Sequence, residues 1–146
     1  MRSCTVFTDA SFCKDTGNAG WAVWLSGDGG VKIRKHGPFR IEILRSDLAE
    51  IYAALNGVYI AKSAGFHRIL LQTDCMAAIQ VLTGGVNNRQ RRWLKRLNNR
   101  HKIDLGGVLF RHVNGHTELE DKRSWVNRWC DERAREAMRM ARSEIT

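Results

Sequence analysis

Four acidic residues carry most of the chemical information in this sequence: Asp9, Glu50, Asp74 and Asp131. Asp9 and Asp74 each follow an apolar run that closes on threonine, Val6-Phe7-Thr8-Asp9 and Leu70-Leu71-Gln72-Thr73-Asp74. Such runs read as buried strands. Both carboxylates are therefore expected where a strand ends, the edge at which open α/β sheets bind ligands. Glu50 and Asp131 fall in helical stretches whose neighbours are mostly small or apolar. A basic chain that sets acids in such places uses them to hold a divalent cation. Each residue alone has a plainer reading. A strand-end Asp caps a turn, Glu50 is a first-turn helix acid favoured by the dipole, and Asp131 is a surface charge paired with Arg128 or Arg135. It is their joint occurrence that favours a metal site.

The elements that must position these acids follow from periodicity. Residues 3–9 alternate as a strand, Gly17 to Gly20 make a turn, and Trp21-Ala22-Val23-Trp24-Leu25 is a second strand. Gly27-Asp28-Gly29-Gly30 is a hairpin signal leading to a third strand over 31–37, which Gly37-Pro38 ends. Ser46 reads as the N-cap of a helix running to Ser63-Ala64-Gly65, with Gly65 as its C-cap. On that helix Leu48, Ile51, Leu55 and Val58 form an apolar stripe, and Glu50, Ala54, Gly57 and Ala61 a stripe of small residues topped by the acid. A helix of this kind packs tightly on a sheet. Residues 67–73 form a fourth strand and Met76 to Leu82 a short helix ended by Gly84-Gly85. A helix over 88–100 turns Trp93, Leu94 and Leu97 inward. Val108 to Val113 is a fifth strand, Asn114 to Lys122 a polar loop, and the last helix runs from Ser124 to Ser143. The order βββαβααβα predicts an α/β fold, a five-stranded mixed sheet flanked by helices. One domain over 1–146 is expected.

A net charge of +9 and a pI near 10 point to a polyanionic partner. No apolar stretch approaches the roughly 20 residues that cross a bilayer, so nucleic acid is favoured and no membrane partner is expected. No secretory signal is visible before the first strand. Cys4, Cys13, Cys75 and Cys130 are spread without a C-x-x-C pair, which reads as reduced thiols in a cytoplasmic protein. Arg89, Arg91, Arg92, Lys95, Arg96, Arg100 and Lys102 lie in one stretch with no acid between them. Arg89, Arg92 and Arg96 share a helical face. Charge of one sign costs repulsion along a helix, which a phosphate backbone would relieve. The alternative is a merely solvated face. His112 reads as a strand residue rather than a ligand, although His112-x-x-x-His116 has a metal-like spacing.

Laid out in order, these pieces resemble a type 1 ribonuclease H over nearly the whole chain. The resemblance rests on Phe7-Thr8-Asp9-Ala10-Ser11, the Gly17-Asn18-Ala19-Gly20-Trp21 turn, Leu48-Ala49-Glu50, and Thr73-Asp74. It continues through Val113-Asn114-Gly115-His116-Thr117 and Asn127-Arg128-Trp129-Cys130-Asp131. It implies that Asp9, Glu50, Asp74 and Asp131 are metal-binding carboxylates and that His116 is a mobile catalytic histidine on a lengthened loop. It also implies a ribonuclease H-like sheet whose first and fourth strands are adjacent and parallel. The implied reaction is hydrolysis of the RNA strand of an RNA-DNA hybrid, leaving 3′-OH and 5′-phosphate ends. Two Mg2+ ions about 4 Å apart would relieve charge at attacking and leaving oxygens, with Mn2+ as a substitute. Four acids gathered without metal would repel, and at least one should hold a proton more tightly.

The same resemblance places the nucleic-acid contacts. Ser46 and Asp47 stand where family members often carry two asparagines that contact ribose hydroxyls, and Asp15 stands at another asparagine position. Cys75 and Met76 replace small polar residues after Asp74. Ser11 and Asn127 lie inside the matching motifs, and Arg89, Arg92 and Arg96 take over part of the role of a basic loop that is shortened here. Asp47 adds charge near phosphates, so selection for RNA through its 2′-OH is the point of departure from the family. Three functions remain in competition: the hybrid-cutting endonuclease, a nuclease of the same fold acting on double-stranded RNA or structured DNA, and a non-catalytic nucleic-acid-binding module. The chain is expected to act as a monomer.

Overall fold

The computed structural model describes residues 2–113 and 122–145, with the side chains of 122–127 and 142–145 left aside. Five strands form one sheet: β1 (Ser3–Phe12), β2 (Ala19–Gly27), β3 (Val31–Pro38), β4 (Arg68–Thr73) and β5 (Val108–His112), in the order β3-β2-β1-β4-β5. The first three pair antiparallel, while β1–β4 and β4–β5 pair parallel. The helices are α1 (Ser46–Ser63), α2 (Met76–Leu82), α3 (Asn88–His101) and α4 (Lys122–Ile145). This is the expected five-stranded mixed sheet with helices around it.

Strand alternation divides the core into two layers. Val6, Val23 and Leu25 pack with Ala61 of α1, whereas Phe7, Ala22 and Trp24 pack with Cys130 and Ala134 of α4. The small stripe of α1 does what its composition predicts: Ala54, Gly57 and Ala61 are buried against the sheet. A Cβ at Gly57 would overlap the side chains of Thr8 and Val6, so only glycine lets α1 lie this close to β1. On the other face a Cβ at Gly20 would overlap the Ala134 carbonyl and the Met138 amide. That close approach seats α4 on β2. The Gly27–Gly30 hairpin is present, with Gly29 and Gly30 at φ +78° and +75°.

Several boundaries differ from the sequence reading. β1 continues to Phe12, because β2 supplies antiparallel partners from Thr8↔Val23 through Phe12↔Ala19. Asp9 therefore lies inside a strand rather than at its end. Only its β4 side is open, since parallel pairing stops at Phe7↔Gln72. Ser46 is not the cap of α1. Arg45 occupies that place with φ −149° and no side-chain cap bond, because the Arg45 carbonyl already accepts the Ala49 amide at 3.1 Å. Ala64 is the C-cap of α1, and Gly65 beyond it takes φ +90°. α3 is capped by Asn87, whose side chain accepts the Gln90 amide.

Candidate metal centre and nucleic-acid interface

The site is assembled by three separate features of the fold. Parallel pairing of β1 with β4 runs in a constant register from Ser3↔Arg68 to Phe7↔Gln72, and its continuation sets Asp9 opposite Asp74. Asp74 is the first residue beyond β4, in the turn before α2. Glu50 is delivered from the first turns of α1, held down by the Gly57 contact. One carboxylate oxygen from each of Asp9, Glu50 and Asp74 lies within 4.8 Å of the others.

Asp9 is 3% exposed. The Ala10 amide donates to Asp9 Oδ1 at 2.9 Å and to Glu50 Oε1 at 3.3 Å. Asp9 Oδ2 and Glu50 Oε2 are shut off from solvent with no hydrogen-bond partner, although Glu50 as a residue is only half-buried. A buried acceptor without a donor costs about 1–3 kcal/mol, so this pair is unfavourable unless something positive meets it. Burial, then the Asp74 charge and more weakly that of Asp131, pushes the Asp9 carboxyl up to about 8. A proton held on Glu50 bridges the two carboxyls, and that hydrogen bond, together with the one from the Ala10 amide, pulls Asp9 the other way. Burial, followed by the charge of Asp9, holds Glu50 well above the usual carboxylate range. The expected mutual repulsion is thus present, and Asp9 and Glu50 bind protons tightly when no cation is there. Hard carboxylate oxygens brought together from three parts of the fold, those of Asp9 and Glu50 shut off from solvent, fit a divalent cation such as Mg2+ or Mn2+.

Asp131 stands apart from this group of three. Its Oδ2 pairs with Arg135 at 3.1 Å, one helical turn on, which is the plainer reading considered for it. It lies near enough for its charge to act on Asp9 and, with Asp9, to raise the buried Cys130 thiol behind burial itself. His116 lies outside the described residues, as does the side chain of Asn127.

The expected nucleic-acid contacts fall into two groups. Ser11 shares the strand face of Asp9 and is buried, its Oγ without a partner. Cys75 follows Asp74 as the N-cap of α2; burial, partly offset by the Ala78 amide, raises its thiol. Asp47 lies near enough for its charge to act on Cys75, and Met76 is 45% exposed. These four border the acids. Asp15, in the β1–β2 turn, and Ser46 are exposed. Arg89, Arg92 and Arg96 are exposed on α3, and none forms an ion pair with a carboxylate among the described residues.

One residue escaped the sequence reading. Arg45 Nε pairs with Asp47 Oδ1 at 3.3 Å, and its guanidinium lies 5.2 Å from the Trp93 ring centroid, where Arg89 also sits at 4.8 Å. Trp93 is half-buried, one part in the core as expected and the rest flanked by two cations. Arg45 thus offsets the awkward charge of Asp47 and joins the head of α1 to the arginine row of α3. A basic track so leads away from the acids. The only signal in the sequence was an arginine two residues before an aspartate, too common to use. A cavity of about 680 Å³ is lined by Ser3, Arg68 and Leu109 among others. Ser3 and Arg68 begin β1 and β4, the strand ends remote from the acids, so we assign that cavity no part in the chemistry.

A mixed sheet with acids gathered where its central parallel strands diverge, beside a basic aromatic track, defines a nucleic-acid-processing α/β protein of the metal-dependent kind. Residues 1–139 match the RNase H family model, and the chain belongs to the RNase H family. Comparison with curated proteins gives no match. Among solved structures, LC11-RNase H1, isolated from compost by a metagenomic approach, is 15% identical with a TM-score of 0.69, covering 97% of this chain and 99% of that one. RNase H1 from the halophilic archaeon Halobacterium salinarum is 20% identical with a TM-score of 0.63, covering 93% and 97%. The N-terminal RNase H domain of a Mycobacterium tuberculosis protein is 14% identical with a TM-score of 0.66, covering 99% of each. These likenesses bear on the fold.

Proposed function

We propose that this chain is a divalent-metal-dependent endoribonuclease that hydrolyses the RNA strand of RNA-DNA hybrids, leaving 3′-OH and 5′-phosphate ends. The observation that carries the reading is the convergence of Asp9, Glu50 and Asp74 with two buried, unpartnered carboxylate oxygens, in a member of the RNase H family. LC11-RNase H1 has been crystallised in complex with an RNA/DNA hybrid, which supports the substrate class by analogy.

In this reading Asp9, Glu50 and Asp74 hold the metal, with Asp131 completing the set from α4. Held there, two Mg2+ ions, or Mn2+ in their place, would supply charge relief at the scissile phosphate and activation of the attacking water. Release of the proton shared by Asp9 and Glu50 readies the cluster for the cation. Arg45 and the exposed arginines of α3 hold phosphates at a distance from the cut. Asp47, with Oδ1 engaged by Arg45 and the Leu48 amide, keeps acceptor capacity for a ribose 2′-OH, as do Ser46 and Ser11. Asp15, Cys75, Met76 and Asn127 flank the same strand, and His116 transfers a proton or assists product release. The chain acts as a monomeric catalytic domain in the cytoplasm, consistent with four cysteines that form no disulfide. Among the described residues no helix is long and apolar enough to cross a membrane.

Labelled RNA-DNA hybrid, duplex RNA and duplex DNA, each with Mg2+, Mn2+ or EDTA, test the proposal. Metal-dependent cutting of the hybrid alone is expected. Preferential cutting of duplex RNA or DNA would transfer the site to another substrate, and tight binding without cutting of any would make the chain a binding module.

A further inference from the structure

The β4–α2 turn that carries Asp74 is pinned from two sides by groups outside the acid cluster. On the strand side, Thr73 Oγ1 accepts the Cys75 amide at 3.2 Å, and the Thr73 carbonyl accepts the Val113 amide at 3.0 Å. From β5, Nε2 of His112 lies 3.1 Å from the backbone oxygen of Asp74. A carbonyl only accepts, so Nε2 carries the proton and donates it. His112 closes β5 opposite Thr73. By strand alternation it shares the face on which Val108 and Phe110 pack against the α1–α2 core. That packing sets the imidazole in place beneath the turn, while the ring itself stays exposed.

The turn needs such a hold. α2 is short, and its N-cap, Cys75, makes no side-chain cap bond. The bond from His112 to the Asp74 carbonyl fixes one of the two peptides between which the carboxylate side chain is mounted. We propose that His112 is a positioning residue: by anchoring the Asp74 carbonyl, it sets the direction from which that carboxylate meets a divalent cation. This inference rests on the metal-site reading above. Groups that orient a ligand in this way change metal affinity by about 10–100-fold when removed. Acting through the backbone of one ligand, His112 belongs at the lower end.

The test measures Mn2+ binding by calorimetry on the full chain, for the wild type and for His112→Ala, His112→Met, His112→Gln and Asp74→Asn. Loss of the donor in His112→Ala and His112→Met should weaken Mn2+ binding about tenfold, whereas His112→Gln, which keeps an N–H donor, should restore it. At saturating metal the KM for hybrid should stay at the wild-type value. Thermal melts confirm folding, and a misfolded His112→Ala leaves the Met–Gln comparison to decide. Wild-type affinity in His112→Met, or equal losses in Met and Gln, would overturn the role of His112. If Asp74→Asn binds Mn2+ as tightly as the wild type, the metal-site reading itself fails; if it loses binding while His112→Met does not, only this inference does.

Discussion

Replacing Asp9 by Asn removes a buried ionisable carboxyl while keeping the shape of the side chain. Without metal, burial and then the neighbouring Asp74 charge push the Asp9 carboxyl from an ordinary 3.8 up to about 8. Its folded-state value lies above its unfolded one, so the folded chain binds the proton more tightly. The stability this contributes is fully present below about pH 4 and is lost as the pH rises toward about 8, at up to about 1.4 kcal/mol per pH unit. At pH 7 the proton taken up on folding costs at most about 4 kcal/mol. Asn needs no proton, keeps an oxygen for the Ala10 amide that Asp9 Oδ1 accepts at 2.9 Å, and offers N–H groups toward Glu50. In EDTA at pH 7, urea unfolding should show Asp9→Asn more stable by about 2–4 kcal/mol, with a shallower decline between pH 5 and 8. Mg2+ should stabilise the wild type and not the variant, whose cleavage should fall at least about a hundredfold. A variant that is less stable than the wild type, or a wild type that gains stability from pH 5 to 8 without metal, would refute a buried, proton-sharing acid cluster.

Exchanging Arg89, Arg92 and Arg96 together for Ala should weaken hybrid binding and reduce the slope of log K against log salt by about 2–3, at roughly 0.9 for each phosphate left without its cation; an unchanged slope in filter binding would mark α3 as merely solvated. Arg45→Ala should leave the Asp47 charge facing the substrate and raise KM for hybrid about five- to tenfold, and adding Asp47→Asn should recover most of that loss in steady-state kinetics. Gly57→Ala should destabilise the fold by about 1–3 kcal/mol through overlap with Thr8 and Val6. Because the same overlap lifts the helix that carries Glu50, titration of activity with Mg2+ should show a higher metal requirement.

Local pattern in the sequence was enough for the identity and order of the elements. Burial imposes a period on strands and helices, and the apolar runs before Asp9 and Asp74, the small stripe on α1 and the glycine pairs at turns all record it. The acids stood out because a basic chain has little reason to set carboxylates beside buried apolar runs. Meeting in space was another matter. Asp9 faces Asp74 through the parallel register of β1 with β4, a long-range pairing that leaves no local trace, and the same sheet carries β1 past Asp9 to Phe12 because β2 is there to bond it. The pairing of Asp47 with Arg45, the two guanidiniums on Trp93, the turn of Asp131 toward Arg135 and the reach of His112 to the Asp74 carbonyl likewise needed the tertiary structure. Periodicity reports which face of an element is dry. Electrostatic and hydrogen-bond partners are chosen only when packing brings distant segments within a few ångströms.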